Sequence, residues 1–212
     1  MKDIDLRVYV ITTDVPRMGR THEDVARAAV AAGGTVIQFR DKLLSDETFA
    51  TAADRVLAIA SAGGVPCIVN DRIAIAVAAR ADGVHVGRSD ADPQQIRNRL
   101  PQGMILGISA RDYDEAMKMN QYGADYLGVG PIFPTGSKAD AAPPIGTEEL
   151  ARICRAVRMP VVAIGGINRS NLQEVIEAGA SGAAVIAAVA EAPSMELALA
   201  ELRSIWEKCG RA

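Results

Sequence analysis

Residues 66–86 read Pro66-Cys-Ile-Val-Asn-Asp-Arg-Ile-Ala-Ile-Ala-Val-Ala-Ala-Arg-Ala-Asp-Gly-Val-His-Val86. Two short apolar runs, at 67–69 and 84–86, enclose an Ala-rich amphipathic segment that predicts a helix over 72–79. Short apolar runs bounded by turn residues are typical of strands that are buried on both faces. The stretch therefore predicts one βα unit followed by the strand of the next unit.

The same alternation recurs eight times along the chain. Predicted strands begin near Leu6, Thr35, Pro66, Gly83, Met104, Asp125, Pro160 and Gly182, and the last one extends from Gly182 to Ala188. Predicted helices cover His22–Ala32, Asp46–Ala62, Arg72–Ala79, Pro93–Leu100, Tyr113–Tyr122, Glu148–Val157, Ser170–Ala178 and Met195–Lys208. Eight units leave about 26 residues each, which suffices for a compact (β/α)8 barrel. We therefore predict one TIM barrel domain over residues 1–212.

An open doubly wound sheet is the alternative for this order of elements. Such sheets often carry a Gly-rich dinucleotide-binding turn after the first strand. Here Thr12-Thr13-Asp14 follows the first predicted strand. The barrel is therefore favoured, and Thr21 and Ser45 are the predicted N-caps of its first two helices.

Composition limits the classes of partner. Hydrophobic residues make up 49% of the chain and aromatic residues only 4%, so the core is built mainly from Ala, Val, Ile and Leu, as in helix-covered parallel sheets. The 23 basic and 26 acidic residues are interspersed and give a net charge of -3. This pattern lacks the basic patch that nucleic-acid binding requires, so we expect small-molecule partners. The sequence leaves a homo-oligomer open.

The three cysteines show neither metal-ligand nor disulfide-framework spacing. We therefore expect reduced thiols in a cytoplasmic protein, and oxygen ligands for any bound metal. The charged N-terminus lacks the apolar segment of a signal peptide. The longest uncharged stretch, Val56–Asn70, contains Gly63, Gly64 and Pro66 and falls short of the roughly 18 apolar residues of a membrane span.

Polar residues follow the predicted strands, at the end where barrel enzymes place their chemistry. Gln38, Arg40 and Lys42 alternate after strand two, so an extended chain presents one amide and two cations on one face. Asp71 and Asp90 follow strands three and four and suit Mg²⁺, which one or two carboxylates and substrate phosphates commonly hold. The alternatives are solvated rim residues for the cations and helix N-caps for the two acids.

The predicted loop from Pro131 to Gly146 is unusually long for such a compact barrel. Residues 129–138 read Val-Gly-Pro-Ile-Phe-Pro-Thr-Gly-Ser-Lys and offer the Thr135 and Ser137 hydroxyls and the Lys138 cation, which suit phosphate or pyrophosphate. After strand seven, Gly165-Gly166 allows backbone amides to approach an anion closely. An ordinary solvated loop and an ordinary turn are the alternatives.

Neither histidine is predicted to act in covalent catalysis. His85 lies between Val84 and Val86 and is expected to be a packed barrel residue, and His22 opens the first helix. We expect neither to lie beside a Ser or Cys nucleophile, so no catalytic triad is predicted. Two anion sites and one divalent metal favour ionisation of a diphosphate over hydrolysis or redox chemistry.

Six motifs follow one another along nearly the whole chain. They are Val-Ile-Gln-Phe-Arg-Asp-Lys at 36–42, Val-Asn-Asp-Arg at 69–72, Asp-Gly-Val-His-Val-Gly-Arg-Ser-Asp at 82–90, Gly-Ile-Ser at 107–109, the run at 129–138 and Val-Ala-Ile-Gly-Gly-Ile at 162–167. As a set, these motifs resemble the thiamine phosphate synthase family. The resemblance implies a magnesium-dependent transferase that joins 4-amino-2-methyl-5-hydroxymethylpyrimidine diphosphate to hydroxyethylthiazole phosphate, or its carboxylated form. Its products would be thiamine phosphate and pyrophosphate, formed by dissociative loss of the pyrophosphate.

The resemblance also implies roles for individual residues. Gln38, Arg40, Lys42 and Asn70 would bind the pyrimidine diphosphate, Asp71 and Asp90 the Mg²⁺, Ser109 and Lys138 the departing pyrophosphate, and Thr135, Ser137, Gly166, Ile186 and Ala187 the thiazole phosphate. Lys138, Ser109 and Arg40 would form the catalytic set. Three positions depart from the family pattern: Arg88 stands for the common Gln, Ser137 for Thr and Ala187 for Ser.

Two other functions are open. A thiazole tautomerase of the same fold would carry a catalytic His just after strand five, where Ala110 and Arg111 follow Ser109 here. A sensor that binds a phosphate ligand without turnover would not need the full set of cations and metal-binding acids.

Overall fold

The computed structural model describes residues 4–87, 93–137 and 142–210. Eight parallel strands form a closed barrel in chain order. They are β1 (Val8–Ile11), β2 (Val36–Phe39), β3 (Cys67–Asn70), β4 (Gly83–Val86), β5 (Ile105–Ala110), β6 (Tyr126–Val129), β7 (Val161–Ile164) and β8 (Gly182–Val185). Because β8 pairs with β1, the sheet has no free edge. The predicted (β/α)8 barrel is confirmed, and the open doubly wound alternative is wrong.

Helices connect and cover the strands. They are α1 (His22–Ala32), α2 (Asp46–Ala62), α3 (Ile73–Ala78), α4 (Pro93–Arg99), α5 (Tyr113–Met119), α6 (Gly146–Ala156), α7 (Leu172–Glu177), α8 (Ala187–Ala190) and α9 (Met195–Cys209), with a 3-10 turn at Pro16–Met18. Thr21 and Ser45 accept the predicted capping hydrogen bonds at the starts of α1 and α2.

The end of the last strand differs from the prediction. The strand predicted over Gly182–Ala188 stops at Val185, and the four-residue helix α8 follows before α9. The apolar run 182–190 contains no Gly, Pro or polar residue after Gly182 to mark a boundary, so periodicity alone could not separate a strand from a short helix there.

Side chains alternate between two faces of the barrel. Outward-facing residues such as Val10, Ile37 and Leu127 join the large cluster under the helices. Inward-facing residues form a second, smaller cluster that includes Leu6, Tyr9, Val36, Ile68, Ile105, Tyr126 and Val162. Since both faces are buried, the strands read as continuous apolar runs.

Two glycines make room inside the barrel for large polar side chains. A Cβ atom on Gly107 would lie 2.2 Å from Tyr126 Cζ and 2.5 Å from His85 Nδ1. A Cβ atom on Gly128 would lie 2.9 Å from His85 Cε1. Glycine at these positions of β5 and β6 therefore lets Tyr126 and His85 fill the space that aliphatic side chains occupy lower in the barrel.

The cysteines and the helices also bear on the sequence predictions. Cys67, Cys154 and Cys209 are free thiols. Among the helices of the described residues, none combines the length and the apolar character that crossing a membrane requires.

The glycine at position 107 gives a test of this interior packing. We expect Gly107→Ala to lower the free energy of unfolding by about 1–3 kcal/mol, because its Cβ overlaps a buried ring that cannot move away. Gly136→Ala is the matched control, since nothing lies within 4 Å of its Cβ position, and it should change stability by less than about 1 kcal/mol. Urea unfolding of both variants measures the difference. Equal effects would contradict the proposed crowding.

Candidate active site

A cavity of about 640 Å³ opens at the C-terminal ends of the strands. All of the predicted site residues that the structure describes line this one cavity: Gln38, Arg40, Lys42, Asn70, Asp71, Ser109, Thr135, Ser137, Gly166, Ile186 and Ala187. Asp90 and Lys138, as well as Arg88, lie outside the described residues. The fold therefore brings the described predicted residues together, and their individual roles stay predictions.

The residues after β2 present cations at one side of the cavity. Gln38 is buried and donates from Nε2 to the Tyr9 hydroxyl at 2.8 Å. Arg40 is partly buried, lines the cavity and has no carboxylate partner within the described part of the chain. Lys42 is exposed, and its ammonium pairs with the carboxylate of Asp71. This side of the cavity can therefore bind an anionic group.

Asp71 occupies a backbone conformation that is rare for a residue other than glycine. Its φ is 57°, in the left-handed region, and its N–H donates to the His85 carbonyl at 2.8 Å. Helix α3 begins only at Ile73, and no side chain caps it, so the N-cap alternative for Asp71 is wrong. Strained residues of this kind cluster at ligand sites, and here the strained turn directs a carboxylate into the cavity.

Two buried side chains and the half-buried Asp41 anchor the loop that carries Arg40 and Lys42. Asp41 accepts hydrogen bonds from the amides of Leu43 at 2.7 Å and Leu44 at 2.9 Å. Its other oxygen lies 3.3 Å from His22 Nε2, and His22 Nδ1 lies 2.8 Å from Thr12 Oγ1. Burial raises the pKa of Asp41, but the hydrogen bonds from the two amides and from His22 outweigh it and lower this pKa overall.

Sequence reasoning missed this anchor. Thr12, His22 and Asp41 come from three separate segments, and no motif joins them. His22 was expected only to open the first helix, which it does. Its second role depends on the way α1 packs beside β2, which a linear pattern does not contain.

The expectation that no histidine lies beside a Ser or Cys is wrong for His85. Its Nε2 atom lies 2.8 Å from Ser109 Oγ. Neighbouring strands β4 and β5 pair His85 with Gly107, so Ser109, two residues further on, projects from the same inner face. The other ring nitrogen, Nδ1, lies 3.0 Å from the Tyr126 hydroxyl, where a catalytic triad would place a carboxylate.

The opposite side of the cavity is built from glycine turns and backbone groups. Gly165 and Gly166 have φ values of +99° and +67°. The Gly166 carbonyl accepts from Asn168 Nδ2 at 3.2 Å and Asn171 Nδ2 at 3.0 Å, which fixes the turn after β7. The helix α8 begins at Ala187, directly after β8, and its first residues line the cavity. Barrels often bind phosphate between these two loops.

The long connection from β6 to α6 adds hydroxyl groups to this side. The amides of Ile132 and Phe133 donate to the carbonyls of Ile164 at 2.9 Å and Gly165 at 3.0 Å, so the first part of the connection runs along the end of β7. Thr135 and Ser137 consequently line the same cavity as Gly166. Over its described residues up to 137, the long connection therefore forms one wall of the cavity and differs from the ordinary solvated loop of the alternative interpretation.

Comparison with known proteins gives matches over nearly the whole chain. The sequence model of one family, described as thiamine monophosphate synthase, matches residues 8–189. The thiamine-phosphate synthase of Chloroflexus aurantiacus is 45% identical over 95% of this chain and 93% of the relative. That of Methanocella arvoryzae is 44% identical over 93% of each. The solved thiamine phosphate pyrophosphorylase of Pyrococcus furiosus superposes with a TM-score of 0.88 and 36% identity, covering 97% of both chains.

Gly166 offers a test of the glycine-lined side of the cavity. A Cβ atom there would lie 2.4 Å from the Pro134 carbonyl oxygen, whereas Gly64, with the same φ of +67°, has nothing within 4 Å. We expect Gly64→Ala to lower the free energy of unfolding by about 1–2 kcal/mol through backbone strain alone. Gly166→Ala should lower the free energy of unfolding by more than Gly64→Ala does. It should also weaken the binding of inorganic phosphate, measured by calorimetry, by about tenfold or more. Equal behaviour of the two variants would show that Gly166 does not shape the site.

Proposed function

The chain belongs to the thiamine monophosphate synthase family, and we propose that it joins hydroxymethylpyrimidine diphosphate to hydroxyethylthiazole phosphate, or its carboxylated form, with release of pyrophosphate. The chain is an enzyme of class EC 2.5.1.3, and its product is thiamine phosphate. The observation that carries the substrate assignment is the cavity with cations at one side and glycine turns with backbone N–H groups at the other. Two phosphorylated substrates fit such a cavity, one at each side.

The pyrimidine diphosphate is assigned to the side formed by β2 and β3. Arg40 and Lys42 provide positive charge for the diphosphate, and the Asp41 anchor holds the loop between them. Gln38 and Asn70, which are 3% and 7% exposed, supply amide groups for the polar edge of the pyrimidine ring. Buried amides of this kind select a heterocycle over an apolar ring, because a ligand without polar groups would leave them unpaired.

Oxygen donors at the cavity wall fit the coordination that Mg²⁺ requires. Within residues 4–87, 93–137 and 142–210 no three His, Cys, Asp or Glu side chains group together as a metal site. Mg²⁺ is commonly held by one or two carboxylates, with substrate phosphate oxygens and waters completing the octahedron, so Asp71 at the cavity wall fits this requirement. We propose Asp71 and Asp90 as its ligands. Bound there, Mg²⁺ would supply positive charge against the negative charge of the pyrophosphate.

The pairing of Lys42 with Asp71 suggests how the cation reaches the substrate. In the free protein the two charges neutralise each other at the rim of the cavity. A diphosphate bound beside Arg40 offers the Lys42 ammonium a second, more highly charged partner. Lys42 would then leave Asp71 and bind the diphosphate, which would add its positive charge to that of Arg40.

The thiazole phosphate is assigned to the opposite side. Thr135 and Ser137 provide hydroxyl donors, and Gly166 and the first residues of α8, near Ile186 and Ala187, provide backbone N–H groups. Because Ala187 has no hydroxyl, its contribution is restricted to the backbone. A thiazole phosphate held in this way would share the cavity with the pyrimidine bound at the other side.

The reaction proposed for this cavity is dissociative. The bond between the pyrimidine methylene carbon and the diphosphate oxygen breaks, and the pyrophosphate leaves with the electron pair. The lone pair of the thiazole nitrogen then forms the new carbon–nitrogen bond. Arg40, Ser109 and Lys138 stabilise the negative charge on the departing pyrophosphate, and the two binding sites hold the reactants in line.

The first test is turnover. Purified protein with Mg²⁺ and both substrates is expected to release pyrophosphate, measured by a coupled enzymatic assay, and EDTA should abolish this release. Omission of the thiazole phosphate is the control. A thiazole tautomerase or a phosphate-ligand sensor would release no pyrophosphate with both substrates present, and that result would overturn the proposal.

A second test concerns Asp71. We expect Asp71→Asn to reduce kcat by about a hundredfold or more and to raise the Mg²⁺ concentration needed for half-maximal rate. Asp46→Asn is the matched control, because Asp46 also pairs with a cation, Arg72, but does not line the cavity. If Asp71 served only to hold Lys42, the Mg²⁺ dependence would stay unchanged in Asp71→Asn.

A further inference from the structure

Five polar side chains form one continuous hydrogen-bonded chain across the inside of the barrel. In order they are Gln38 on β2, Tyr9 on β1, Tyr126 on β6, His85 on β4 and Ser109 on β5. The successive distances are 2.8 Å, 2.7 Å, 3.0 Å and 2.8 Å. We call these five residues the relay. All five residues line the cavity, and Gln38 and Ser109 are the two ends of the relay.

The middle of the relay is buried and tightly packed. Tyr9 and Tyr126 are each 1% exposed and approach each other from strands that are not neighbours in the sheet. Burial raises the pKa of both phenols, so both keep their protons at neutral pH. The space for Tyr126 and His85 exists only because Gly107 and Gly128 lack side chains. The barrel therefore holds these rings in one arrangement.

The hydrogen bonds of the relay all donate in one direction, from Gln38 toward Ser109. Gln38 donates an N–H to the Tyr9 hydroxyl, so the Tyr9 proton is left to donate to Tyr126. Tyr126, having accepted, donates its own proton to His85 Nδ1. A neutral imidazole that accepts at Nδ1 carries its proton on Nε2, and this N–H donates to Ser109 Oγ.

The opposite direction is unfavourable. If His85 carried its proton on Nδ1, Tyr126 would accept from it and donate to Tyr9. Tyr9 would then accept from both Tyr126 and Gln38, and within the described residues its own buried proton would lack an acceptor. A doubly protonated His85 has the same defect. Its Nδ1 proton and the Tyr9 proton would both point at the Tyr126 oxygen, and within the described residues the proton of Tyr126 would lack an acceptor.

We propose that His85 is a positioning residue, which the Gln38–Tyr9–Tyr126 part of the relay holds neutral with its proton on Nε2, so that the hydroxyl proton of Ser109 is left to donate to the ligand. This inference deepens the proposed function and rests on it for the identity of the ligand. The departing pyrophosphate carries only acceptor oxygens, so it needs Ser109 as a donor. At the other end, Gln38 lines the cavity, and its carbonyl oxygen would accept from a ligand amino group.

The consequence for recognition is that the two ends of the relay act together. A ligand that presents an N–H donor to Gln38 and a phosphate oxygen to Ser109 satisfies both ends with a single direction of the relay. A ligand with an acceptor in place of that N–H would turn the Gln38 amide, so that its N–H group faces the ligand. The four hydrogen bonds of the relay would then run in the opposite direction, and the Ser109 proton would no longer be left for the ligand. The pyrimidine diphosphate has an amino group and a diphosphate and so matches the direction found here.

The tautomer of His85 is measured directly in the free protein. With isotope-labelled histidine, the two ring nitrogens give distinct nitrogen chemical shifts in their protonated and unprotonated forms. We expect an unprotonated Nδ1 and a protonated Nε2 at neutral pH, assigned to His85 by their loss in His85→Asn. If that variant fails to fold, loss of the other signals in His22→Gln makes the same assignment. Protonation at Nδ1, alone or together with Nε2, would overturn the proposal.

Tyr9→Phe tests whether the direction is transmitted. It removes one phenol oxygen while leaving every contact of His85 and Ser109 in place. We expect the ring nitrogens to shift toward a mixture of the two tautomers and kcat to fall about tenfold, with KM for the thiazole phosphate unchanged. Tyr113→Phe, on the outer helix α5, should change neither quantity. A Tyr9→Phe protein with the wild-type tautomer would show that the relay does not position His85.

These experiments separate the two proposals. The tautomer is measured in the absence of substrate, so this result does not depend on turnover. If the expected tautomer is found and no pyrophosphate is released, the relay is correct and the proposed reaction is wrong. If pyrophosphate is released and Nδ1 is protonated, the proposed reaction is correct and the relay is wrong.

Discussion

Inside a closed parallel barrel every second side chain points at the other seven strands, and the space available there is small. In this protein the lower part of that space is filled by aliphatic side chains such as Val36 and Ile68, and the upper part by Tyr9, Tyr126 and His85. The strand register of the closed barrel determines which side chains contact each other. Since the interior also forms the floor of the cavity, the packing of the core determines the geometry of the site.

Charge is distributed over the site by the order of the strands. The loops after β2 and β3 supply Arg40, Lys42 and Asp71, while β7 and β8 are followed by glycines and a short helix that offer backbone groups. One side therefore carries charged side chains that can rearrange, as the Lys42–Asp71 pair would have to do. The other side carries N–H groups held by the backbone, which cannot move far. The side with charged side chains suits a departing group. The side with backbone N–H groups suits an acceptor that must stay in place.

The fold could be predicted from the sequence because strands buried on both faces are local features, and all eight appear at their predicted places. Eleven predicted site residues could likewise be placed at one mouth, because a parallel barrel brings all strand ends to one side. The helix α8 was missed since an Ala-rich apolar run suits a strand or a helix equally well. The contact of His85 with Ser109 and the anchor of Asp41 on His22 depend on register and helix packing, which single segments do not encode.

The connection between β6 and α6 is tied together at its base. Besides the contacts of Ile132 and Phe133 with β7, the amides of Ile145 and Gly146 donate back to the carbonyls of Pro131 at 2.9 Å and Ile132 at 3.1 Å. The two ends of the connection are thus joined to each other before the chain enters α6. Extra or missing residues in the part of the loop that follows Lys138 would leave this tie and the residues assigned to the site in place, and their main effect would be on the entropy of closing the loop, which grows slowly with its length. Insertions and deletions in the course of evolution can therefore accumulate in this segment while the register of the barrel stays the same.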